Sequence, residues 1–101
     1  MSNMTLTFLP SGSELWVRTE PKSLQHSKYR VKIKHPQHSE AVFILKPEIK
    51  KIKGWNMQAK ELSKVIDGLE KTKDILISHI DGEINSSSMV LKLQSMNLII
   101  D

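Results

Sequence analysis

The chain has 101 residues, a net charge of +4, 39% hydrophobic and 26% charged residues, and no cysteine. That length suits a single domain with one small core. The missing cysteines exclude disulfides, cysteine-ligated zinc and thiol nucleophiles, and no window reaches the ~20 apolar residues of a membrane span. The charge is uneven: residues 1–53 hold ten Lys/Arg against four Asp/Glu, residues 54–101 five against seven. A basic half is what a polyanionic or acidic partner would meet.

The opening MSNMTLTFLPSG lacks both a basic n-region and an apolar h-region. No signal peptide is therefore expected, and the expected location is cytoplasmic. Residues 5–9 (TLTFL) and 14–18 (ELWVR) have strand character, and PSGS between them reads as a hairpin loop. The polar, Pro21-containing stretch 19–27 reads as a loop. KYRVKIK, residues 28–34, alternates strictly, as a half-buried strand does. HPQHS follows as a turn forced by Pro36.

Residues 40–46 (EAVFILK) form an apolar run with β-branched and aromatic content, the pattern of a strand covered on both faces. In PEIKKIKGW, Ile49, Ile52 and Trp55 stand three apart, which predicts one short helical turn closed by Gly54. Leu62, Val65, Ile66, Leu69, Leu76 and Ile80 mark one face of a helix. Asn56 is the expected N-cap, Gly68 or the stretch 67–72 a weak point or break, and Asp81-Gly82 the end. INSSS then reads as a linker, and residues 89–94 (MVLKLQ) and 97–100 (NLII) as a last strand or hairpin.

The order predicts an α+β domain spanning residues 1–101: a small antiparallel sheet of four to six strands with one long or broken amphipathic helix on one face. Its expected core is Leu6, Phe8, Leu15, Val17, Tyr29, Val31, Ile33, Phe43, Leu45, Leu62, Ile66, Leu69 and Leu76.

EAVFILKP, IKKIKGW and AKELSKVIDGLEKTKDILISH together resemble a family of small uncharacterised bacterial domains. Its members carry an E-A-x-F-x-L-x-P strand, a glycine before an aromatic or aliphatic residue, and an amphipathic helix. Glu40, Ala41, Phe43, Leu45, Pro47, Gly54, Trp55, Glu61, Leu62, Ile75 and Leu76 stand at the matching places. The resemblance implies a setting in toxin–antitoxin-like or defence two-gene loci. Members also tend to carry an H-x-H pair on the preceding strand; here KYRVKIK has no histidine, with His26 before it and His35 and His38 after.

The candidate site is the basic row Lys28, Arg30, Lys32 and Lys34 together with Trp16, which alternation places on the same outer face. Side chains two apart on a strand lie ~6.8 Å apart, near the phosphate spacing of an extended single strand. Stacking next to positive charge is how single strands are held. Lysine on a strand also guards it against edge pairing, and Trp and Arg are frequent anchors of protein interfaces.

His26, His35 and His38 could form a metal site only without cysteine or an assured carboxylate, and no metal or other cofactor is expected. His79 with Asp81 and Glu83 invites an acid–base reading, but it falls at a helix C-terminus, where a cationic imidazole suits the dipole. Neither a phosphate-binding glycine loop, a nucleophile elbow nor a zincin motif is present.

The first reading is a non-enzymatic binding module whose partner is a protein, a nucleic acid or both, with homodimer formation open and no membrane partner. The rivals are a small metal-independent ribonuclease toxin using His26, Tyr29 and Arg30, and a phage-type inhibitor that occupies a nucleic-acid channel of a host protein.

Overall fold

The computed structural model describes residues 2–18 and 29–100. The loop expected at 19–27 and the first basic residue of the row, Lys28, lie outside the described residues. Five strands come first: β1 (Ser2–Met4), β2 (Glu14–Val17), β3 (Arg30–His35), β4 (His38–Ile44) and β5 (Lys50–Lys53). Two helices follow, α1 (Ala59–Ile80) and α2 (Ser86–Ser95). The strands lie in chain order and each neighbouring pair is antiparallel. The result is an α+β fold, as the order of sequence patterns implied.

Alternation decides which face each strand residue takes. Met4, Leu15, Ile33 and Ala41 are in register across four strands, and Val17, Val31 and Phe43 form a second row. All seven are buried. Against them α1 sets Val65, Leu69, Leu76 and Ile80, and α2 adds Met89 and Leu93, all in one core cluster. Burial of each such large side chain contributes about 1.5–3 kcal/mol. Of the expected core, Tyr29, Leu62 and Ile66 are only partly buried and pack on its margin.

Four local expectations are corrected. PEIKKIKGW holds strand β5 rather than a helical turn. Val42 pairs with Lys53 and Phe43 with Lys51, so Ile52 is the extra residue of a bulge and is exposed. MVLKLQ lies in α2, whose cap is Asn85: its side chain accepts the Ser88 N–H at 2.8 Å. Its buried pair, Met89 and Leu93, is four apart, as a helix requires.

The N-cap of α1 is Gln58, not Asn56; its N–H donates to the Glu61 carboxylate at 3.4 Å. Finally, the first strand ends at Met4, and TLTFL is tied instead to the chain end. Leu6 bridges Ile99, Thr7 donates to the Leu98 carbonyl at 2.8 Å, and Ile100 donates to the Thr5 carbonyl at 3.0 Å.

Two glycines have steric causes. α1 runs unbroken through Gly68, where a Cβ would stand 2.1 Å from Cγ of Phe8. The glycine leaves the notch that the Phe8 ring fills. Gly54 has φ +89°, and a Cβ on it would lie 1.7 Å from the Glu40 carbonyl oxygen. Only glycine lets the chain leave β5 so close to β4 and bring Trp55 into the core.

Candidate functional site

The helices cover one face of the sheet; the sequence-predicted site residues stand on the other. One register row there runs Asn3, Trp16, Lys32, Val42, Lys53 across all five strands. Beside it Glu14 pairs with Lys34 on one side, and on the other Arg30 pairs with Ile44 and Ile44 with Lys50. The strand pattern of KYRVKIK thus places Arg30, Lys32 and Lys34 together with Trp16, as alternation implied. Lys50 and Lys53 join them through β5. Among the described strand residues the face carries these five cations and two carboxylates, Glu14 and Glu40.

The side chains interlock. The Lys34 ammonium sits 4.0 Å from the centre of the Trp16 ring, a cation–π contact. Glu40 reaches both neighbours: one carboxylate oxygen is 3.5 Å from Lys32 Nζ and the other 3.8 Å from Lys34 Nζ. The three side chains remain about two-fifths exposed (38%, 41% and 41%), so solvent screens these pairs strongly. Glu14 accepts a hydrogen bond from the Asn3 amide at 2.6 Å. Val42 is fully buried yet stands outside the core cluster, between Lys32 and Lys53 in register. Lysine stems are apolar enough to line such a position while their ammonium groups stay wet.

Glu40 is the residue sequence reasoning overlooked. The signal lay in the two-residue turn of HPQHS, which folds β4 back so that Glu40 comes alongside Lys32 and Lys34.

The histidines have other places. His35 and His38 face each other across the β3–β4 turn, ring centres 4.8 Å apart. His38 stacks on Trp55 at 4.3 Å with 7° between the planes, and His35 tilts against the same indole at 5.3 Å. The Nδ1 of His35 accepts the Gln37 N–H at 3.0 Å. Together the imidazoles shield a buried tryptophan at the hairpin end. Among the described residues no group of three or more His, Asp or Glu is gathered as a metal ion would need. His26 lies outside the described residues.

Comparison with protein-family models, curated proteins and solved structures yields no match in any of the three.

Of the three residues named for the ribonuclease reading, Tyr29 and Arg30 lie among the described residues. Arg30 is exposed on the bare face. Tyr29 packs at the margin of the core and donates its hydroxyl to Asp81 at 3.1 Å. His79 is buried at the end of α1, with its Nε2 3.1 Å from the Ser86 hydroxyl at the start of α2. Burial holds its imidazole below the ordinary histidine value, so near neutral pH the ring is uncharged and joins the two helices. Among the described residues no helix is long and apolar enough to cross a membrane.

Proposed function

We propose that the protein is a non-enzymatic binding module that takes a polyanionic partner on the sheet face its helices leave bare. A single observation carries this reading. Arg30, Lys32, Lys34, Lys50 and Lys53 are gathered from two strands of the sheet onto one face, where Glu14 and Glu40 are the opposing carboxylates. Charge of one sign on a flat surface raises the local concentration of an oppositely charged partner and speeds its capture. Lysines kept on flexible, solvated stems contribute little to stability but can each release a counterion on meeting a phosphate. The biological setting proposed is the toxin–antitoxin-like or phage-defence locus that the sequence resemblance implies.

The test is retention on a polyanion. Fluorescence anisotropy with labelled oligonucleotides, and chromatography on heparin, are expected to give binding that weakens steeply as salt rises. Lys32→Glu reverses a charge at the centre of the face and is expected to weaken binding about tenfold or more, while the far-ultraviolet circular dichroism stays the same. Salt-independent binding, or binding indifferent to Lys32→Glu, would refute the assignment of this face.

A further inference from the structure

Glu40 touches both Lys32 and Lys34, one oxygen to each, at 3.5 and 3.8 Å. Those two lysines are two apart on one strand and hold a single carboxylate between them. An anionic group with two free oxygens is what a phosphodiester also presents. Lys34 has a second engagement: the same ammonium lies 4.0 Å over the Trp16 ring. The indole is thus covered by a cation that Glu40 helps to hold there. The arrangement couples three things: the internal carboxylate, the lysine and the availability of an aromatic face.

Resting on the binding reading above, we infer that the occupant of this face is single-stranded nucleic acid, and that Glu40 is its built-in competitor. A phosphate takes the place of the Glu40 carboxylate between Lys32 and Lys34. Lys34 follows the phosphate, and the uncovered Trp16 ring receives a base. Ile44, half-buried between Arg30 and Lys50 in register, offers a second apolar rest flanked by cations. A base on an aromatic ring is worth about 1–3 kcal/mol whatever its identity, so this face is tolerant of sequence. A duplex keeps its base faces stacked inside and cannot use Trp16. An acidic peptide can displace Glu40 but supplies no flat ring to stack.

The competitor also sets a threshold. A ligand must offer several phosphates at once to replace an anion that is already in place, so a mononucleotide is excluded where an oligomer is held.

The experiment compares the wild-type chain with Glu40→Gln by anisotropy, using a labelled oligo-dT, an oligo-U, a duplex of the same length and an oligoglutamate peptide, each over a salt series. Glu40→Gln keeps the size of the side chain and removes its charge. It is expected to tighten the single strands about fivefold and to make the salt slope steeper by about 0.7, one more counterion released. Binding of the single strand is also expected to quench tryptophan emission, with the quench lost in Trp16→Phe, where Trp55 alone reports.

Salt-sensitive binding by the wild type that Glu40→Gln leaves unchanged or weakens overturns this inference while the binding face stands. A duplex or an oligoglutamate that binds as tightly as the single strands overturns it in the same way. If neither protein binds any of the four probes, the binding face itself fails.

Discussion

Val42 and Phe43 are consecutive in β4, and both are 0% exposed. Phe43 belongs to the cluster built with α1 and α2, and its neighbours are apolar. Val42 points the other way, into a row whose adjacent members are Lys32 and Lys53. The same strand therefore meets two kinds of surroundings within two residues. On the helix side, side chains are fixed by packing, and any change of volume is felt through close-packed neighbours. On the bare side, charged groups rest on their own stems and remain wet. Substitutions on the two faces should accordingly separate: the first kind acts on stability, the second on binding.

The strongest test of the packed side is Gly54→Ala. The added Cβ would overlap the Glu40 carbonyl oxygen, and the residue's φ of +89° is strained for alanine. Strand β5 would have to move away from β4, drawing Trp55 out of the core. A loss of roughly 3–5 kcal/mol is expected, read as a shift in the urea midpoint or as failure to fold.

Gly68→Ala comes next. In an exposed helix this change stabilises by about 1 kcal/mol; here the new methyl meets the Phe8 ring at 2.1–2.5 Å, and a net loss of about 1–3 kcal/mol is expected. Pairing it with Phe8→Leu, which opens the notch, should recover part of that loss. Strict additivity of the two changes in a double-mutant cycle would count against the notch.

A smaller effect comes from His79. Its imidazole is held below the ordinary value by burial between the helices. Below about pH 6.5 the unfolded chain takes up a proton there that the folded chain does not. Stability contributed by this site is thus complete above the ordinary value and is lost as pH falls toward the lowered one. Unfolding midpoints should rise with pH through that window, and His79→Gln should flatten the rise.

Much of the architecture could be read from periodicity, because a period of two survives in ELWVR and KYRVKIK, whose inner residues Leu15, Val17, Val31 and Ile33 are all buried. The long helix was equally legible, from Leu62 to Ile80. What misled were short segments whose spacing was ambiguous. Ile49, Ile52 and Trp55 look helical at intervals of three, but the bulge at Ile52 sends that residue to solvent while Ile49 and Trp55 are buried. MVLKLQ has the β-branched, alternating look of a strand; the cap at Asn85 and the Met89/Leu93 spacing were the better signals. The basic side of the candidate face was visible on one strand. Its other half, Lys50 and Lys53, and its internal counter-charge, Glu40, depend on which strands pair and in which register, and one strand's pattern carries no such information.

The smallest stability effect is expected on the bare face, where it discriminates best. Lys34→Ala removes a cation–π contact and an ion pair from Glu40, both at a site about two-fifths exposed. Exposed pairs of this kind are worth about 0–1 kcal/mol, and the freed carboxylate keeps Lys32 at 3.5 Å. The unfolding midpoint should move by no more than about 0.5 kcal/mol equivalent. Binding of a polyanion should nevertheless weaken, and its salt slope should become shallower, because one phosphate partner is gone. A loss of stability comparable to that of Gly68→Ala would mean that the Trp16–Lys34–Glu40 group is a structural clamp, and that the two faces of the sheet do not differ in the way their surroundings imply.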